Sequence, residues 1–222
     1  MSIKDHLLQI KSQLSEKVTL VAVSKTKPIS DLMQAYEAGQ RVFGENKIQE
    51  MTEKWQQMPK DIEWHMIGHV QSNKVKYMAE YVSLIHGVDS LKLLQEINKQ
   101  AVKHNRVINC LLQMHIAEEE TKFGLDEKEL EVILHFVQND KNGMTNIKVV
   151  GLMGMATFTD NQEQIKKEFQ SLKTIFDKYK SLNTTNCQLN TLSTGMSGDY
   201  QLAIECGSTM VRIGSSIFGN RN

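Results

Sequence analysis

Short β-branched apolar runs alternate with longer stretches whose apolar residues recur at helical spacing. That alternation predicts βα units around a parallel sheet. A helix over 3–16 comes first, by the spacing of Leu7, Leu8, Ile10 and Leu14. The predicted strands then fall at 18–24, 41–43, 62–67, 82–86, 107–116, 147–153, 187–192 and 209–214. Between them, helices are expected at 30–38 (capped by Ser30, stopped by Gly39), 45–57, 72–79, from Ser90 through Ala101, after the cap Asp126, at 162–181 and at 198–204. Eight strand–helix alternations behind an extra N-terminal helix read as α/β, a single (β/α)8 TIM barrel filling 1–222 as one domain. An open doubly wound sheet competes, but it usually has fewer strands, and no G-x-G-x-x-G follows the first strand.

Composition narrows the class. The chain has 222 residues, 40% hydrophobic and 23% charged, which excludes a disordered tail or a small disulfide scaffold. Lys+Arg and Asp+Glu both count 26, so no broad basic field argues for nucleic acid. Three scattered cysteines (Cys110, Cys187 and Cys206) suit free thiols in a reducing compartment. The charged N-terminus lacks a signal peptide's apolar run, and no apolar stretch is long enough for a bilayer. A soluble cytoplasmic protein is expected, leaning toward a monomer.

Chemistry belongs at the C-terminal ends of barrel strands. There the first strand leads into Ser24-Lys25-Thr26-Lys27-Pro28. By alternation, Lys25 shares a face with Val21 and Val23, and a partly desolvated amine at the barrel mouth favours the neutral nucleophile of Schiff-base chemistry. A snorkelling lysine is the plainer alternative. Arg212 interrupts the apolar eighth strand, either as a structural ion pair or facing a ligand, and barrel closure brings it toward Lys25. The loops after strands seven and eight, Ser193-Thr194-Gly195-Met196-Ser197-Gly198 and Gly214-Ser215-Ser216, are rich in glycine and hydroxyls, where such barrels usually bind phosphate. An aldehyde for the lysine, a phosphate for the loops and a ring nitrogen for the arginine together describe pyridoxal 5′-phosphate, PLP.

These segments resemble the pyridoxal phosphate homeostasis (YggS-like) family. The matching stretches are AVSKTKP (22–28), FGENKIQE (43–50), WHMIGHVQSNK (64–74), GLMGMAT (151–157), LSTGMSGDY (192–200) and GSTMVRIGSSIFG (207–219), nearly the whole chain. The resemblance implies a PLP-binding barrel of the alanine-racemase N-terminal type. It makes Lys25 the covalent Schiff-base lysine and sets Arg212 against the pyridine nitrogen. Asn46 lies beside the ring, and Ser193, Thr194, Gly214 and Ser215 hold the phosphate. Lys47, Thr194 and the 113–118 segment depart from the family's usual residues.

An arginine at the ring nitrogen disfavours its protonation and weakens the ring as an electron sink. A racemase also needs an acid/base group opposite the lysine. The chain runs to Asn220-Arg221-Asn222 just past the last strand, so no second domain is expected to bring one. Tyr200, the tyrosine that follows a mouth loop, reads as packing. The expected function is therefore a carrier that buffers or delivers PLP, without robust turnover, acting toward PLP-dependent client enzymes. PLP-dependent amino-acid racemization is the alternative, and a module that recognises a partner protein according to its PLP load is another. Lys27 is a possible second amine. His65 and His69, four apart, read as structural or mouth-lining rather than as metal ligands. The run 118–120 reads as a solvated loop, and Met153, Met155 and Met196 as pocket lining.

Overall fold

The computed structural model describes residues 2–119, 123–139 and 143–219. Glu120 of the acidic run and Asn220-Arg221-Asn222 therefore lie outside the described residues. In chain order the elements are α1 (Ile3–Gln13), β1 (Thr19–Val23), α2 (Ile29–Glu37), β2 (Val42–Glu45), α3 (Ile48–Gln57), β3 (Glu63–Met66), a 3₁₀ turn (Ser72–Tyr77), β4 (Leu84–Val88), α4 (Leu91–Lys103) and β5 (Ile108–Gln113). They continue with α5 (Glu127–Asn139), β6 (Ile147–Met153), α6 (Gln162–Tyr179), β7 (Asn183–Thr184), β8 (Cys187–Ser193), α7 (Tyr200–Glu205), β9 (Met210–Ile213) and α8 (Ser215–Phe218).

Strands β1 to β6, β8 and β9 pair in parallel, and both β1–β9 and β6–β8 are hydrogen-bonded, so the sheet closes into an eight-stranded barrel. The two-residue β7 is an antiparallel arm on β8 that no periodicity signalled. Closure at β6–β8 needs Gly151, because a Cβ there would lie 1.8 Å from the Thr191 carbonyl oxygen.

Alternation sorts the side chains into two cores. Leu20, Ala22, Val211 and Ile213 face the surrounding helices, together with α-helical residues such as Leu32, Leu94 and Leu134. Val21, Leu84, Leu111, Val150, Met153 and Met210 fill the barrel. Two helix starts follow the expected caps. The Ser90 hydroxyl accepts the Leu93 amide, and Asp126 and Glu129 exchange reciprocal side-chain bonds with each other's amides.

Three local expectations are corrected. Pro28, not Ser30, precedes α2 as its N-cap, where a fixed φ and a missing N–H carry no penalty. Glu45 ends β2 rather than beginning a helix. The segment at 72–79 is a 3₁₀ turn over Ser72–Tyr77, whose greater rise per residue spans the short connection from β3 to β4.

Candidate functional site

At the C-terminal ends of the strands a cavity of about 550 Å³ opens, within the usual range for a small-molecule site. Its wall includes Lys25, Lys27, Asn46, Arg212, Gly214 and Ser215. Residues from the first and last thirds of the chain thus meet in one pocket, because β1 pairs with β9 and sets Val21 opposite Arg212. Met155 and Met196 line the same cavity, whereas Met153 is buried in the barrel floor. Phe158, 94% exposed, stands on its rim.

Lys25 reaches this wall by a route that strand alternation does not describe. Strand β1 stops at Val23, and the chain turns, with the Lys27 amide donating to the Ser24 carbonyl at 3.1 Å. Lys25 and Thr26 form the middle of that turn. Thr26 has φ 65°, a left-handed conformation that costs a β-branched residue about 1–3 kcal/mol.

Arg212 points into the barrel with the parity of Met210 and is only 4% exposed. Its Nη1 donates to the Ser193 carbonyl (2.9 Å) and to Ser193 Oγ (2.7 Å), and its Nη2 donates to the Gly154 carbonyl (3.1 Å). Burial lowers its pKa to about 10, opposed by the nearby charge of Asp199, so the guanidinium stays cationic near neutrality. These acceptors are neutral carbonyl and hydroxyl oxygens. The charge is therefore held in place without being neutralised.

Behind Arg212 runs a buried polar chain. Ser193 Oγ lies 3.2 Å from His86 Nδ1, and His86 Nε2 lies 3.1 Å from His65 Nδ1. The Ser193 hydroxyl accepts from the arginine. Among the described residues its own proton has one partner within reach, His86 Nδ1, so with both rings neutral His86 and then His65 carry their protons on Nε2. Burial keeps both rings neutral. It pushes His65 down to about 3 and, with the Arg212 cation, pushes His86 well below the ordinary value.

Ser193 and Thr194 do not line the cavity. Both are buried; Ser193 is bound to Arg212 and His86, and Thr194 Oγ1 is enclosed with no hydrogen-bond partner among the described residues. The next residues of the same loop, Met196, Ser197, Gly198 and Asp199, reach the wall instead. Asp199 Oδ1 accepts the Met196 amide at 2.5 Å and closes that turn. The Ser197 hydroxyl oxygen accepts two amides from the last loop, Gly214 N (3.2 Å) and Ser216 N (3.5 Å). Two backbone donors thus converge on one oxygen at the pocket wall, the donor arrangement an anion requires.

Other predicted positions separate. His65 faces inward, while His69 turns outward to pair with Asp89 at 3.2 Å beside a second cleft that shares Asn46. Among the described residues no cluster of three or more metal-ligating side chains occurs, and no helix is long and apolar enough to cross a membrane. The Tyr200 hydroxyl donates to Gln13 Oε1 at 2.5 Å, tying α7 to α1.

Sequence reading also passed over several buried polar residues around the mouth. His86, Glu45 and Lys54 are each at most 5% exposed. The available signal was the polar residue type inside an otherwise apolar pattern. Glu168, also buried, accepts the Thr157 amide (2.7 Å), the Thr157 hydroxyl (2.7 Å) and the Glu118 amide (3.2 Å). Burial works to raise its pKa, but these hydrogen bonds prevail and hold the carboxyl below its ordinary value.

Comparison with known proteins agrees with this geometry. The alanine racemase N-terminal domain family matches residues 1–222. The pyridoxal phosphate homeostasis protein of Haemophilus influenzae is 40% identical over 92% of this chain and 86% of its own length. That of Escherichia coli K12 is 34% identical over 99% of this chain and 97% of its own. PipY of Synechococcus elongatus, solved with PLP bound, superposes with a TM-score of 0.88 at 32% identity, covering 98% of this chain and 100% of PipY. Alanine racemase from E. faecalis shares the fold at 15% identity, with a TM-score of 0.76. On these grounds the chain belongs to the pyridoxal phosphate homeostasis protein family, built on the barrel of the alanine racemase N-terminal domain.

Proposed function

We propose that this protein binds PLP in the mouth cavity as a covalent adduct of Lys25, and that it buffers or delivers the cofactor rather than turning over a substrate. The whole chain would serve as one PLP-binding barrel. One observation carries the reading: Lys25, the Arg212 cation and Gly214 and Ser215 of the last loop line one cavity of cofactor size.

The donor set fits PLP. When bound, PLP supplies an aldehyde that condenses with a lysine amine, releasing water and forming a C=N bond. Lys25 is the amine, with Lys27 on the same wall as a second candidate. Arg212 and Asn46 line the same cavity, where Arg212 would face the ring nitrogen and Asn46 would lie beside the ring. The phosphate set is Gly214 and Ser215 with the Ser197–Gly198 turn. Ser193 and Thr194 form the layer behind it, Ser193 orienting Arg212 rather than touching the ligand.

The held arginine also favours carriage over chemistry. A guanidinium donates and never accepts, so it opposes protonation of the nitrogen it faces and keeps the ring a weak electron sink. The Tyr200 hydroxyl is engaged with Gln13 rather than presented to the cavity. PLP-dependent client enzymes are the expected recipients, and cytoplasmic residence and a monomeric state complete the reading.

The test is the visible spectrum of purified protein with added PLP, followed by borohydride reduction and peptide mapping. A coloured adduct on Lys25 is expected. A colourless sample, or label distributed over surface lysines, refutes the site. Robust interconversion of amino-acid enantiomers would favour the racemase reading instead.

A further inference from the structure

The turn that carries Lys25 is held from outside the barrel by a charged cluster on α3. Glu50 and Lys54 lie one helical turn apart on that helix, and their side chains meet at 2.7 Å. Glu50 Oε1 accepts the Thr26 amide at 2.6 Å. Lys54 Nζ donates to the Ser24 carbonyl at 2.8 Å and to Glu45 Oε1 at 2.7 Å. The same Glu45 oxygen accepts the Ser24 hydroxyl at 2.6 Å. Both residues flanking Lys25 are therefore tied to one network, most of it buried: Glu45 is 0% and Lys54 5% exposed.

The network faces an unusual backbone. The Lys27-to-Ser24 bond closes a four-residue turn, and its third residue, Thr26, sits at φ 65°. A turn with positive φ at that position ordinarily takes glycine or asparagine. Threonine persists in such a conformation when the surroundings over-determine it. The Glu50 carboxylate does so by capturing the Thr26 N–H, while Lys54 pins the Ser24 carbonyl on the other side of Lys25.

We infer that Glu50, braced by Lys54 and Glu45, is a positioning residue that holds the Thr26 backbone left-handed and so aims Lys25 into the cavity. The inference rests on the reading of Lys25 as the PLP-binding amine. Glu50 itself lies outside the cavity wall and acts through Thr26.

Three variants of the full chain separate this role from simple helix docking. Glu50→Met keeps length and removes the acceptor. Glu50→Gln keeps an acceptor for the Thr26 amide and removes the charge. Thr26→Gly removes the Cβ that makes positive φ unfavourable. PLP affinity is read by absorbance titration, and exchange of the Thr26 amide by NMR on PLP-free protein. Glu50→Met should weaken PLP binding at least tenfold and speed Thr26 exchange at least tenfold. Glu50→Gln should stay within threefold of the parent in PLP affinity, and adding Thr26→Gly to Glu50→Met should restore that affinity to within threefold.

Unchanged affinity in Glu50→Met, or no recovery with Thr26→Gly in a folded double variant, overturns the inference. If Glu50→Met alone does not fold, the rescue is read as recovered folding, and continued unfolding of the double variant overturns it. If the parent takes up no PLP at Lys25, the functional reading fails. The exchange arm then decides the positioning claim by itself: faster Thr26 exchange supports it, and unchanged exchange overturns it.

Discussion

Lys25 and Arg212 illustrate how far one side chain's surroundings set its chemistry. Lys25→Ala should abolish the visible band and the borohydride-stable label at that position. A label of parent yield moving to Lys27, which shares the wall, would reassign the amine. Arg212→Gln should do two separable things. Removing donors from the Ser193 and Gly154 carbonyls should cost about 1–3 kcal/mol, read as a lower Tm. Replacing a cation by a neutral amide should also let the nitrogen of bound PLP take up a proton more readily, read as a shifted pH titration of its spectrum. A spectrum with the parent's pH dependence would show that Arg212 does not face the ring.

Individual connections decide where the walls of the cavity stand. Strands β6 and β8 meet at Gly151, where a methyl group would strike a backbone carbonyl rather than a yielding side chain. Gly151→Ala should therefore open the barrel seam at a cost of about 3 kcal/mol or more, measured by denaturant unfolding. Gly198→Ala, with nothing within 4 Å of its Cβ, serves as the tolerated control for stability. The connection from β6 to α6 forms another wall and is tied by Glu168 to the segment after β5. Glu168→Ala should speed amide exchange at Thr157 and Glu118 while leaving the exchange of β1 unchanged. Equal acceleration everywhere would mean that Glu168 supports global stability and not this wall.

Across the whole molecule, the buried histidine pair makes stability depend on pH. The unfolded chain binds protons on both rings below about pH 6.5, while His65 in the folded state stays neutral down to about 3. The unfolded state thus binds more protons in that interval, so stability falls as pH falls from about 6.5 toward 3. Each neutral ring contributes a slope of about 1.4 kcal/mol per pH unit. Replacing His65 with glutamine should flatten the acid limb of a Tm–pH curve, and an unaltered limb would refute neutral burial of that ring.

Much of the architecture was legible in the chain's periodicities. Alternating apolar runs and helical stripes depend on neighbours along the sequence, so eight βα units, the caps at Ser90 and Asp126 and the barrel itself followed from pattern. Local chemistry also marked Lys25, Arg212, Gly214 and Ser215, the family resemblance added Asn46, and the structure places all five on one cavity. What sequence could not decide involved contacts between distant segments. Nothing near Ser193 shows that its hydroxyl lies between Arg212 and His86, or that Ser197 instead receives the last loop's amides. Strand alternation could not foresee that β1 ends at Val23 and that a left-handed Thr26 carries Lys25 the rest of the way. That conformation is held by a carboxylate 24 positions away. Side-chain periodicity is a property of one element, whereas the direction of a buried hydrogen bond depends on which elements closure brings together.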